Sequence, residues 1–404
     1  MKQNKEIPIG YKDSPLGIIP EDWEVNELED FVKLSKSKYT PNSKETFRCI
    51  ELEHICQYDG EILGWVNSSD QRSIKNKFVK GQILFGKLRP YLNKYWLAKF
   101  DGVCSSEIWV LHTSNKKCIN EYLYRIVQSD NFIREANISS GSKMPRADWD
   151  YVSSCFFLLP PITEQEKIVK ILGIWDITIE KQKILIEKLE RRKLGLMQTL
   201  LTGEKRLKGF SEEWKKIHIS DASKEVSIKN KDDKALTVLS CTKYNGLVPS
   251  LEYFGRKIFS DDLSTYKVVP KNHFAYATNH IEEGSIGYQD KFDEALISPM
   301  YTVFKTDSKV NDNFFFNLLK SYRCVYDYQT RMEGSIDRRG GLRWDAFSII
   351  KISLPSIKEQ TAIAEVLTTA DQEINSAKAR LNSLIIQKKG LMQQLLTGKT
   401  RVKL

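Results

Sequence analysis

Long apolar runs are missing from this 404-residue chain. Stretches such as "CFFLL" at Cys155–Leu159 fall far below the roughly 20 residues of a membrane span. The opening "MKQNKEIPIGYKDSPLG" lacks an apolar segment, so no secretory leader is expected. The cysteines number seven, an odd count, and none stand in CxxC spacing. That argues against a disulfide framework or a zinc site and fits a reducing, cytoplasmic setting. The histidines (His54, His112, His218, His273 and His280) do not cluster in sequence. GxxxxGK[ST], HExxH and GxSxG are all absent. No glycine-rich methyl-donor loop pairs with an N/D-P-P-Y/F/W tetrapeptide, and the one Pro-Pro, Pro160-Pro161, follows Leu159. The expectation is a chain with no catalytic residue, no metal and no cofactor of its own.

What is present is a repeat. "GLMQTLLTG" at 195–203 returns as "GLMQQLLTG" at 390–398. The match extends backwards without a gap at an offset of 195, from "LPPITEQEKI" at Leu159 and "LPSIKEQTAI" at Leu354. Identical pairs include Glu164/Glu359, Gln165/Gln360, Asp176/Asp371 and Lys193/Lys388, with Trp149-Asp150 answering Trp344-Asp345 upstream. "PEDWEV" around Trp23 answers "SEEWKK" around Trp214. The chain is a tandem duplication.

Each repeat has a mixed region and a long helix. "GQILFGKLRPYLNKYWLA" and "LISPMYTVFKT" read as strands with turns. "NEYLYRIVQSDNFIREA" and "NDNFFFNLLKSYRCVYDYQ" read as helices. Prolines 160, 161 and 355 mark the start of the long helices, with Thr163-x-x-Glu166 as a candidate capping box in the first copy. Gly203 and Gly398 mark the stops. Apolar residues follow 3-4 spacing: Ile168, Leu172, Trp175, Ile179, Ile186, Leu189, Leu196 and Leu200 in the first helix. The second carries Ile363, Leu367, Ala370, Ile374, Leu381, Leu384, Leu391 and Leu395. Both seams are interrupted, at Gln182/Ala377 and Lys193/Lys388. A helix of about 58 Å with one apolar stripe needs a partner, and the other copy supplies it. The expected fold is α+β: two globular domains separated by two long helices packed as an antiparallel intramolecular coiled coil, a pseudo-twofold tandem repeat. The boundaries read as an arm at 1–24, domains at 25–158 and 209–353, and helical segments at 159–208 and 354–404.

The net charge of +10 suggests an anionic partner, nucleic acid first. Residues 159–208 hold 11 basic and 7 acidic side chains, and 354–404 hold 8 and 4, whereas 209–353 are nearly balanced at 21 and 20. Contacts from the globular domains must therefore come from local clusters. "FGKLRPY" offers Lys87, Arg89 and Tyr91, and "SGSKMPRADW" offers Lys143 and Arg146. The second copy offers Arg338, Arg339 and Arg343 in "EGSIDRRGGLRW", and Asn279 and His280 in "ATNHIEEGSIG". An Arg fork grips phosphate or guanine bidentately, and Asn pairs with adenine. Solvated surface loops and turn-stabilising roles are the plain alternatives at each position.

These features resemble the specificity subunit of type I restriction–modification systems. "LPPITEQEKI", "GLMQTLLTGEKR", "PEDWEV", "FVKGQILFGKLRPY" and the "SGS…W" loop carry the resemblance over essentially the whole chain. The second domain departs from it, with "VVPKNHFAYATNH" where the first has "FVKGQILFGKLRPY". The resemblance implies two target recognition domains, each reading half of a bipartite site in double-stranded DNA. It implies helices that act as a ruler and dock two modification (adenine methyltransferase) subunits, with restriction/translocase subunits joining them. S-adenosylmethionine, ATP and Mg are then expected in the partners, and no membrane association is expected. The helical seams (Leu172, Ile179, Ile186, Leu189, Leu196, Leu200; Leu367, Ile374, Leu381, Leu384, Leu391, Leu395) would carry pairing and docking. The competing readings are a coiled-coil scaffold joining two protein-binding domains without DNA, and an enzyme with unrecognised motifs.

Overall fold

The computed structural model describes residues 7–41, 45–138, 144–231, 235–333 and 341–402. Two compact units emerge: Met1–Lys183 with Arg380–Leu404, and Ile184–Ala379.

In the first unit, one antiparallel sheet has the strand order Tyr95–Leu97, Ile83–Gly86, Ile108–Thr113, Val32–Leu34. All four residues of Ile83–Gly86 are buried, because the sheet is covered on both faces. A second, five-stranded sheet includes Lys75–Phe78, Gly102–Cys104 and Arg48–Ile50, the last two being parallel. Helices Asn120–Gln128 and Asp130–Asn137 pack into the main core, broken from one another at Ser129, whose side chain caps the second. The ribbon of Phe156–Leu159 with Glu24–Glu27 then leads into the first long helix, Ile162–Leu200.

The second unit repeats this plan. Its four-stranded sheet runs Ser223–Glu225, Tyr301–Thr306, His273–Ala277, Ile286–Gln289. Helices Asp312–Leu319 and Tyr322–Glu333 follow, and Lys215–His218 pairs with Lys351–Leu354 ahead of the second long helix, Ile357–Leu396.

Each unit contains the start of one long helix and the end of the other. In the first unit Ile168 and Leu172 share a core with Met392 and Leu395, alongside Trp23 and Phe157. In the second unit Ile363 and Leu367 share a core with Leu200 and Leu201. The helices run antiparallel, since Asp176 pairs with Lys388 at 2.5 Å in the first unit and Lys193 with Asp371 at 2.6 Å in the second. These are the same two repeat positions with roles exchanged. The apparent seam interruptions are thereby accounted for: Lys193 and Lys388 end on aspartates, while Gln182 and Ala377 are buried. Two further pairs join the helices, Lys378 with Glu190 and Arg192 with Glu373.

The repeated Glu-Gln dipeptide closes each unit. Glu164 is fully buried and accepts from Trp23 Nε1 at 2.9 Å, from Arg401 Nε and Nη2 at 2.9 Å each, and from the backbone N–H of Val402. Glu359, also fully buried, accepts from Trp214 Nε1 at 3.3 Å and from Arg206 at 2.6 and 2.7 Å. Gln165 donates to Lys117 O and Pro160 O and accepts from Ile119 N, while Gln360 makes the matching bonds with Lys309 O, Pro355 O and Asn311 N. Gly203 and Gly398, at φ +75° and +68°, turn the chain so that Arg206 and Arg401 can reach these carboxylates. One expectation fails. The first long helix begins at Ile162, so Thr163 lies inside the first turn and cannot be an N-cap; Pro161, whose carbonyl accepts from Glu164 and Gln165, precedes the helix instead.

Candidate nucleic-acid interface

Two loops that are distant in sequence meet in each unit. In the first unit, the loop leaving strand Ile83–Gly86 carries Lys87, Arg89 and Tyr91. The loop ahead of helix Trp149–Ser153 carries Arg146. Ala147 N–H donates to Lys87 O at 2.9 Å, and Arg89 N–H donates to Pro145 O at 2.8 Å. Leu88 and Arg146 form an isolated antiparallel bridge. In the second unit the loop leaving His273–Ala277 carries Asn279 and His280, and Leu342 N–H donates to Thr278 O at 2.8 Å. Ala147 and Leu342 lie 195 positions apart, so the same position of the second loop bonds to the loop leaving the strand in both units.

Tryptophans anchor the second loop of each pair. Trp149 meets Trp109 edge-on at 5.4 Å, and Trp344 lies against Phe304 at 5.5 Å. Trp109 and Phe304 are again the same position, on an inner strand of each sheet.

Arg89 and Tyr91 are exposed, and Lys87 is half-buried. Arg146 is exposed and paired with Glu107 through Nε at 3.0 Å and Nη2 at 3.3 Å; these hydrogen bonds push the guanidinium pKa further up. Glu107 thus engages the fork at the surface. Arg89 adopts φ +53°, Asn93 φ +50° and Tyr58 φ +61°, three left-handed non-glycine residues around one loop. Such conformations cost on the order of 1 kcal/mol each and gather at functional sites.

In the second unit Asn279, His280 and Arg343 are exposed, and Arg343 stands at the N-cap position of helix Trp344–Ser348. Ligand atoms of His280, Glu282 and Glu283 lie within 4.8 Å of one another. Carboxylates at that loop repel phosphate and suit the amino groups of bases. Lys143, Arg338 and Arg339 lie outside the described residues. The remaining sequence-selected residues are the helical ones. Leu172, Ile179, Ile186, Leu200, Leu367, Ile374 and Leu395 are buried, whereas Leu189, Leu196, Leu381, Leu384 and Leu391 are half-buried. Among the described residues no helix is long and apolar enough to cross a membrane.

The type I restriction modification DNA specificity domain family matches residues 20–191 and 212–385. The type I restriction enzyme MjaVIII specificity subunit of Methanocaldococcus jannaschii is 27% identical over 421 residues, covering 95% of this chain and 94% of the relative. A chain solved in a study of complex assembly and conformational transition of the type I R-M system shares the fold, with a TM-score of 0.64 and 16% identity over 95% of this chain and 99% of that one. The S subunit of a type I restriction-modification system from M. genitalium does so with a TM-score of 0.54 and 15% identity over 98% of each chain. With both copies of the repeat matched and two joined loop pairs presenting Arg and Asn side chains, the chain belongs to the type I restriction–modification DNA specificity family and is a DNA-recognition subunit of such a system.

Proposed function

We propose that each unit reads one half of a bipartite duplex target through its joined loop pair: Lys87, Arg89, Tyr91 and Arg146 in the first unit, Asn279, His280 and Arg343 in the second. The carrying observation is the repeated joint, Ala147 N–H to Lys87 O and Leu342 N–H to Thr278 O, which puts both loops of each unit on one surface. Arg forks there can reach guanine edges or phosphates, each base contact being worth about 1–3 kcal/mol of discrimination. Lys143, Arg338 and Arg339 are included in this reading from the sequence alone.

Modification and restriction subunits dock on the long helices. Ile174, Ile177, Ile385 and Ile386 are exposed in the first unit, and Ile184, Leu185 and Leu194 in the second. Exposed aliphatic rows of this kind mark protein contacts. Methylation and cleavage, with their S-adenosylmethionine, ATP and Mg, belong to those partners. This chain is non-catalytic and works in the cytoplasm, with two modification subunits in the complex.

The test is a domain exchange. Residues 25–158 are replaced by a foreign recognition domain, and methylated adenines are mapped across the host genome. One half of the bipartite motif should change. A change in both halves, or in neither, overturns the assignment. Binding should also weaken steeply with salt, since phosphate contacts release counterions.

A further inference from the structure

Each unit carries a second loop with an exposed tip. In the first unit the turn Cys56-Gln57-Tyr58-Asp59-Gly60 leads out of the strand region, and in the second Cys241-Thr242-Lys243-Tyr244-Asn245-Gly246 does so. Both tips read Tyr-(Asp/Asn)-Gly. Their tyrosines are 186 positions apart rather than 195, so the fixed-offset match does not align them.

The two tips are mounted alike. A Cβ on Gly60 would sit 2.1 Å from Tyr124 Oη, and one on Gly246 would sit 3.6 Å from Phe316 Cζ. Tyr124 and Phe316 are each the fifth residue of the first helix after the main sheet. Each tip also borders the strand that follows the reading loop. Tyr58 N–H donates to Asn93 O at 3.0 Å, just before Tyr95–Leu97. Gly246 lies against Gly287, in Ile286–Gln289. A lysine fastens each mount: Lys183 of the first long helix pairs with Asp59 at 2.5 Å, and Lys320, at the end of helix Asp312–Leu319, donates from Nζ to Lys243 O at 2.8 Å.

Both tyrosine side chains lie largely outside the packed core. Tyr58 is 66% exposed and Tyr244 83% exposed. Tyr58 also sits at φ +61°, where glycine or asparagine would be less strained. An exposed ring kept at a conformational cost points to an external contact. Tyr58 Oη donates to Tyr91 O at 3.2 Å, which places the ring beside the proposed DNA-contacting loop and engages its hydroxyl internally. Lys243 Nζ lies 5.4 Å from the Tyr244 ring centroid, adding a cation at the second tip.

We infer that Tyr58 and Tyr244 are a matched pair of DNA-contacting residues, each laying its ring on the duplex within the half-site that its own unit reads. This rests on the joined-loop reading proposed above. A tyrosine ring gives a large, rigid, amphipathic contact, and such residues carry much of the energy of interfaces.

The experiment selects bound sequences from a randomised duplex library with the full chain assembled with its modification subunits. The variants are Tyr58→Ala, Tyr58→Gly, Tyr58→Phe and Tyr244→Ala, with Arg89→Ala and Arg343→Ala as markers for the two halves. Tyr58→Ala and Tyr58→Gly should each weaken binding about tenfold and blur only the half that Arg89→Ala blurs. Tyr244→Ala should do the same to the half that Arg343→Ala blurs. Tyr58→Phe should stay within about threefold of the parent, because the ring makes the contact. Tyr58→Gly should melt no lower than the parent. Parental selection by both alanine variants, with the arginine variants impaired, overturns the tyrosine assignment and leaves the loop reading standing. Parental selection by all the variants overturns both. A binding loss in Tyr58→Ala that tracks a lower melting temperature and disappears in Tyr58→Gly makes Tyr58 structural and refutes the inference.

Discussion

Arg401→Met tests the buried carboxylate that closes the first unit. Glu164 is fully buried and holds Arg401 by two hydrogen bonds of 2.9 Å. Removing one member of a buried ion pair costs about 3–5 kcal/mol, because the other charge is stranded. Two features reduce that here. The Arg401 side chain is 31% exposed, so part of its charge is already screened. Trp23 Nε1 and Val402 N–H would still donate to the carboxylate. About 2 kcal/mol remains. Hydrogen exchange is the suitable assay, since a two-unit chain need not unfold in one step. Segments covering residues 19–32 and 162–172 should exchange about 30-fold faster, the factor equivalent to 2 kcal/mol. Glu164→Gln combined with Arg401→Met should recover at least half of that free energy, because the neutral amide oxygen still accepts from Trp23 and no charge is stranded. Less than about threefold acceleration in the single variant, or a double variant worse than the single, refutes the reasoning.

Other outcomes follow from packing. Leu395→Asp places a carboxylate in the first unit's core, among Trp23, Phe157 and Leu172, and should cost about 4 kcal/mol or more. Its exchange signature should fall on residues 19–32 and 118–136, whereas Leu200→Asp should affect 274–286 and 342–354; equal effects in both sets would contradict the helix assignment. Gly341→Ala sets a Cβ 2.6 Å from Thr278 O at φ +59°, so it should part the second unit's joined loops and blur one half of the selected motif, read by library selection. Burial pushes the Cys49 and Cys118 thiols up to about 12. Both should therefore stay unmodified by a disulfide reagent at pH 8 in the native chain, and rapid labelling of either would contradict their burial.

The long helices were legible because a gapless repeat fixes their register and a 3-4 spacing fixes their face. Their electrostatics were not: Asp176/Asp371 and Lys193/Lys388 read as isolated identities until the antiparallel pairing set each aspartate against the other copy's lysine. Glu164 and Glu359 stood out as repeated residues, but a charged residue in a helical first turn ordinarily faces water. Nothing local reveals that an arginine some 150 or more positions away will bury it. The basic loops were visible as clusters, yet their joining depends on sheet order, which brings residue 147 to residue 87. The tyrosine tips escaped because their spacing differs between copies and a Tyr-Gly turn reads as ordinary loop chemistry. The capping box fails for a simpler reason: Thr163 stands two residues past Pro161, the residue that precedes the helix.

The division of the chain also sets the order in which the protein can be finished on the ribosome. Residues 184–379 are contiguous and can close their own core as soon as they emerge. The other unit needs Met392 and Leu395 in its core and Arg401 on Glu164. At about 5–20 residues per second, the stretch from residue 183 to residue 401 takes roughly 10–40 s to synthesise. Throughout that interval Ile168 and Leu172 lack Met392 and Leu395, and the Glu164 carboxylate lacks Arg401. The half translated first is therefore the half completed last, and nascent chains stalled before residue 390 should be the ones that chaperones hold.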